Sequence, residues 1–393
     1  MKPKIFSSGL STAADGLAGV QELAQKIRKD FKGASCDIAI LFISEGYQQT
    51  PSPDLARAFY EAVRPRFFIG CNSSGVIGDG SEIEMEPGLS VMAMHLPGIR
   101  VTPFVIAPHE LAILDTGAEL VEILGLDPAA RPKFISLGEP MSCDITKFLT
   151  LLNQGYPDAP VIGGLASGVV VGTDNWLILG KEIYPEGVVG LALEGAIEFE
   201  NVVSQGCRPI GEPLIITKSE QNVVYELAGQ PVLEVLGKVY EALSPDDQQL
   251  AKHSLFVGMV MDERRHKLKR GDFLIRNIMG VDYDKSALVV GELLAPGQTF
   301  QFQLRDAKAA EEDLECLLQN LPAYNASQAT GGILVSCCGR GKGLFKEADH
   351  DVRMIRKLHG PVPLTGFFAN GEFGLINRKN YVHGYTSSLT LLR

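Results

Sequence analysis

The sequence predicts a mixed α/β protein, with layered sheets covered by helices, an internally duplicated unit and two domains. Two observations carry this. Residues 36–43 form an apolar run interrupted only by Asp37, the pattern of a strand covered on both faces. A glycine turn, Gly-x-x-(Ser/Ala)-(Ser/Asn)-Gly, then recurs at Gly70 to Gly75, Gly163 to Gly168 and Gly366 to Gly371. Each turn follows a strand and a helix and precedes an apolar strand, at 89–94, 188–193 and 388–392. The copies are unevenly spaced and separated by unlike insertions, so the repeat reads as duplication inside a globular fold rather than a solenoid.

In chain order, residues 7–12 supply turn formers and a helix cap, after which Leu17, Val20, Leu23, Ile27 and Phe31 fall at helical spacing. Ser52, Pro53 and Asp54 suit a helix start, and Pro65 stops that helix. Residues 89–105 read as a continuation of the sheet, and 111–124 as a helix or covering segment. The second unit follows, with a strand at 134–138 and a helix at 142–153. The Gly/Pro-rich stretch 205–213 reads as a junction, dividing the chain into domains 1–212 and 213–393. Beyond it come a hairpin at 214–217 and 223–227, a helix from Pro231, and four strands at 254–261, 273–279, 287–294 and 299–304 that resemble a meander. The basic run 264–270 reads as a solvated hairpin tip, and a helix at 307–321 leads into the closing unit.

Composition narrows the function. With 45% hydrophobic and 21% charged residues in 393, the chain has the balance of a soluble globular protein long enough for two cores. A net charge of -11 argues against nucleic acid or an anionic membrane as partner. With no signal core and seven cysteines in no paired spacing, the chain reads as cytoplasmic. No P-loop, dinucleotide fingerprint, metal-ligand spacing or nucleophile elbow appears, so no cofactor and no metal are expected.

Polar groups at the turns point instead to a ligand. Asn72, Ser73 and Ser74 with Gly75 in the first turn, and Asn370 and Glu372 around Gly371 in the third, can hydrogen-bond a small polar molecule. The second turn, with Leu165 and Ala166, reads as turn geometry alone. Arg208, Arg276 (beside Asn277) and Arg340 are candidate forks for a carboxylate. Cys337 ends a strand just before Gly339, Arg340, Gly341 and Lys342, whose two cations favour a thiolate; His350, His359 and His383 are candidate bases for it.

These residues resemble the FIST family of sensory proteins. The likeness lies in Ile69-Gly70-Cys71 with Ser74-Gly75, in residues 161–168 and 205–211, in Val223 to Leu227, in Arg276-Asn277-Ile278, in Ser336-Cys337-Cys338-Gly339-Arg340-Gly341, and in residues 366–374. The resemblance implies N- and C-terminal FIST domains and a module that binds small molecules such as amino acids in signal transduction. The sequence stops at Arg393 without a kinase, cyclase or chemotaxis segment, so signalling is expected to run through a separate protein partner. The expected function is sensing of an amino-acid-like or small carboxylate ligand. Two alternatives stand beside it: a Cys337-dependent hydrolase or transferase on an acyl or amide substrate, and a protein-interaction scaffold without a small ligand.

Overall fold

The computed structural model describes residues 3–47, 49–168, 174–265, 267–321 and 330–393. The chain forms two compact units, Met1–Val203 with Cys316–Val382 and Thr386–Arg393, and Ser204–Glu315 with His383–Tyr385. A single cut at 212/213 therefore does not follow the compact units, because the closing copy of the repeat packs with the first two.

The first unit holds three six-stranded sheets, one per copy. In the first, Ile38–Ser44 lies between Leu89–His95, antiparallel, and Phe67–Ser73, parallel. Lys133–Gly138 sits likewise between Val188–Glu194 and Val161–Leu165, and Gly331–Cys337 between Thr386–Leu392 and Leu364–Ala369. An outer strand completes each edge: Ile5–Ser11, Arg100–Ile106 and Phe199–Gln205. The stretch read as one sheet over 89–105 thus divides, because Arg100–Ile106 opens the second copy by pairing with Val188–Glu194. Residues 7–12, read as turn and cap, belong to the strand Ile5–Ser11, where pairing with Leu89–His95 overrides their turn preference. Asp15 caps the following helix, Gly16–Phe31, and Leu17 lies outside its buried stripe, 46% exposed.

The other edge of each sheet is borrowed. Past its glycine turn, each copy leaves its own sheet and adds a hairpin to another. The first copy's Gly75–Gly78 and Ser81–Glu84 join the third sheet. Leu177–Leu179 and Glu182–Tyr184 of the second join the first sheet, and Glu372–Ile376 and Lys379–His383 of the third join the second. The exchange is cyclic, so no copy completes its sheet alone.

Strand alternation builds the layers. Ile38, Ile40 and Phe42 face a core shared with Ile135, Leu137, Ile333 and Val335, where Phe42 and Phe367 stack with centroids 4.5 Å apart. Ala39, Leu41 and Ile43 face the helices Gly16–Phe31 and Ser52–Val63. Both faces are buried, which is why these strands read as continuous apolar runs.

Gly70, Gly163 and Gly366 stand at one register, opposite Leu41, Ser136 and Leu334. A Cβ there would lie 2.1, 1.9 and 1.8 Å from those residues' carbonyl oxygens, so only glycine lets the two backbones meet.

The second unit, Ser204–Glu315 with His383–Tyr385, interrupts the first in sequence and carries a seven-stranded sheet. Its strands do not form a simple meander. Thr299–Arg305 pairs with Leu255–Val260 and with the long strand Cys207–Glu220, into which the supposed junction is absorbed. Cross-strand burial of Ile210, Val257, Phe300 and Phe302 selects that pairing over the neighbour in sequence. The basic tip is partly neutralised internally, by Arg264–Asp262 and Arg265–Asp272 ion pairs at 2.9 and 2.5 Å.

Candidate functional site

The three glycine turns meet. Ser74, Ser167 and Asn370 stand four residues after the register glycines, and Gly75, Gly168 and Gly371 five after. A Cβ on Gly75 would lie 2.9 Å from Phe368 Cδ2, one on Gly168 2.4 Å from Asn72 Nδ2, and one on Gly371 3.0 Å from Leu165 Cδ1. Each second glycine thus admits a side chain from the next copy in the cycle.

The backbone repeats the rule. Ser167 N–H donates to the Asn72 carbonyl at 3.4 Å and Asn370 N–H to the Leu165 carbonyl at 3.1 Å. At the third crossing the Ser167 hydroxyl intervenes, accepting from Ser74 N–H at 3.1 Å and donating to the Phe368 carbonyl. The second turn is therefore more than geometry. Its repeat position already marked Ser167, which the apolar neighbours Leu165 and Ala166 obscured. Ser74 Oγ lies 3.2 Å from the thiol of Cys338, which is solvent-accessible at its residue surface yet crowded by protein at the sulfur; that desolvation pushes the thiol up.

Several candidates serve the junction itself. The Asn72 amide donates to Glu45 Oε1 and the Asp174 carbonyl at 2.8 and 3.1 Å and accepts from Trp176 N–H at 2.9 Å. Ser73 Oγ donates to the Gly75 carbonyl at 2.8 Å, and the exposed Asn370 reaches the Ala166 carbonyl at 3.4 Å. Gly341, at φ 60, would bring a Cβ within 2.5 Å of the Glu84 carboxyl.

Each of the three arginines read as carboxylate forks already holds a carboxylate of the chain. Arg340, 1% exposed, grips Asp351 with two bonds of 2.9 and 3.0 Å. Asp351 also meets His350 Nδ1 at 3.0 Å, and His350 stacks on Phe345. Burial opposes charge on Asp351, but Arg340 beside it holds the carboxyl well below the usual range. Arg208 pairs with Asp306 at 2.8 Å and with Asp247, and Arg276 with Glu292 at 2.6 Å. Both lie in the second unit with Asn277, whose Oδ1 accepts from the Tyr385 hydroxyl. Of the candidate bases, His350 bonds Asp351, His359 meets the Leu318 carbonyl at 2.9 Å, and His383 falls in the second unit.

Beneath the junction lies Glu372, fully buried, with Oε2 accepting from Thr386 N–H at 3.1 Å and Thr386 Oγ1 at 2.6 Å. Burial pushes its carboxyl up to about 8 against these hydrogen bonds and the thiol of Cys337, which favour the charge. Cys337 is half-buried and its Sγ accepts from Gly339 N–H at 3.4 Å.

A groove of about 240 Å³ lies elsewhere on the first unit, lined among others by Ser8, Asp79, Gly80, Ile355, Arg356 and Pro363. None of the sequence candidates lines it. Its walls come from the first and third copies: Asp79 from the exchanged hairpin's tip, at φ 46, and Arg356 from the last turn of His350–His359. Both are exposed, and Asp79 Oδ1 accepts from Ser8 at 2.6 Å. Arg356 and Asp79 do not pair with each other, and neither has another salt-bridge partner among the described residues. Among the described residues, no group of His, Cys, Asp and Glu gathers to hold a metal ion, and no helix is long and apolar enough to cross a membrane.

Comparison with known families finds the FIST N domain matching residues 37–230 and the FIST C domain matching 233–375. An uncharacterized protein of Mycobacterium tuberculosis is 36% identical over 98% of this chain and 98% of its own length. Another, from Mycobacterium bovis, is 34% identical over 98% of this chain and 97% of its own.

Proposed function

The chain belongs to the FIST family of signalling sensory domains, and from that premise we propose that it senses a small amino-acid-like molecule, bound in the groove between Arg356 and Asp79. The observation that carries the reading is one guanidinium and one carboxylate on the same groove without ion-pairing each other. A zwitterion supplies the opposite charge to each: its carboxylate to the fork of Arg356, its ammonium to Asp79. At about 240 Å³ the groove is smaller than the roughly 300–1,000 Å³ of drug-sized sites, which favours a small metabolite. The reading carries with it a cytoplasmic setting and a separate protein that receives the signal.

A thermal-shift screen of the whole protein against amino acids and small carboxylates tests it, since a ligand that binds the native state raises its apparent stability. Arg356→Ala is expected to abolish the shift by removing a charge-assisted contact worth about 1.5–3 kcal/mol. Asp79→Asn, which suits the left-handed backbone, is expected to weaken amino acids while sparing simple carboxylates. An undiminished amino-acid shift in Arg356→Ala would remove the groove from the reading.

A further inference from the structure

The third copy departs from the first two at three positions that touch one another. Register places Glu372 where the others carry Val76 and Leu177, all three fully buried. It places Cys337 where they carry Ser44 and Glu139, and Thr386 where they carry Gly88 and Gly187. A buried carboxyl at an otherwise apolar position is costly unless its oxygens are satisfied. Thr386 satisfies Oε2, and the Cys337 thiol also interacts with this carboxyl.

We propose that Cys337 is a site of covalent modification by soft electrophiles of the α,β-unsaturated carbonyl class, with Glu372 as the group that takes and returns its proton. The sulfur is prepared for negative charge. It accepts the Gly339 N–H at 3.4 Å and feels the buried guanidinium of Arg340, whose Nη1 has no hydrogen-bond partner. Three other ionisable groups stand near this pair: Cys338 beside Glu372, and Asp351 and Glu82 around Arg340. Burial raises the Glu372 carboxyl to about 8, so its carboxylate holds a proton more tightly than an exposed one and is the stronger base beside the thiol.

The step balances within the pair. In molecules whose Glu372 is ionised, the S–H bond breaks and its proton goes to the Glu372 carboxylate; the thiolate forms an S–C bond at the β-carbon. The C=C electron pair becomes an enolate, which takes the proton back from Glu372 at the α-carbon. No oxidant or reductant enters. Cys338 is less suited, because desolvation raises its thiol and its bond to Ser74 engages it. The site is independent of the groove, so failure of either leaves the other standing.

The test is brief exposure of the whole native protein to 2-cyclohexen-1-one, with adducts mapped by peptide mass spectrometry and the exposed Cys316 as internal reference. Cys337 is expected to react at least tenfold faster than Cys316, in the native protein and in Cys338→Ser alike. Glu372→Gln is expected to slow Cys337 at least fivefold and leave Cys316 unchanged. Equal rates for Cys337 and Cys316 in the native protein overturn the proposal, and so does a Cys337 rate unmoved in Glu372→Gln.

Discussion

Val76 and Leu177 pack as apolar strand residues at the register where the third copy buries Glu372, so one backbone position is apolar twice and carries a buried carboxyl once. The register glycines show the opposite behaviour. Gly70, Gly163 and Gly366 meet the same obstacle in every copy, a carbonyl oxygen within about 2 Å of any Cβ. What the backbone requires recurs in every copy, and the buried carboxyl appears in one.

The sharpest way to break that comparison is Gly366→Ala. With backbone on both sides of the clash there is no flexible side chain to yield, and the expected loss exceeds about 4 kcal/mol or prevents folding. Gly70→Ala and Gly163→Ala are expected to behave alike. Urea unfolding reads this directly, and a loss below 1 kcal/mol in any one copy would end the equivalence.

A smaller effect comes from Glu372→Leu, which restores the apolar residue of the other copies. Glu372 is raised from 4.5 to about 8 in the fold, so the native state binds its proton more tightly than the unfolded chain. Its share of stability is full below about 4.5 and is lost as pH rises through about 8, at up to about 1.4 kcal/mol per pH unit. Glu82, raised to about 8 by burial and by Asp351, slopes the same way, whereas depressed Asp351 loses stability only at acid pH. Unfolding between pH 5 and 8 is therefore expected to show a loss of a few kcal/mol in the wild type and a shallower one in Glu372→Leu. Identical slopes would show that Glu372 titrates normally.

The smallest effect separates the three crossings. Two are closed by direct backbone bonds and one by the Ser167 hydroxyl. Ser167→Ala leaves Ser74 N–H and the Phe368 carbonyl without that bridge, for an expected cost of about 1–3 kcal/mol. A neutral substitution would mean that the backbones close directly there too.

The arginines show why the sequence reading of the site was partial. Arg208, Arg276 and Arg340 were legible as donors, but Asp306, Glu292 and Asp351, which occupy them, stand 98, 16 and 11 residues away. Arg356 drew no notice because nothing local distinguishes it from a solvated helix-end arginine; only the fold brings it to the same groove as Asp79. Cys337 and Glu372 were both singled out, though for separate roles, and only pairing of distant strands set them side by side.

By itself the sequence determined the repeated strand, helix and glycine turn, the strands buried on both faces, and the family. These depend on period, composition and local turn sterics, which are written residue by residue. Tertiary structure alone decided that the hairpins are exchanged in a cycle, that Thr299–Arg305 passes over its sequence neighbour, and that the closing copy packs with the first two. An apolar strand specifies that it must be covered; which edge covers it depends on the register and burial of residues far along the chain.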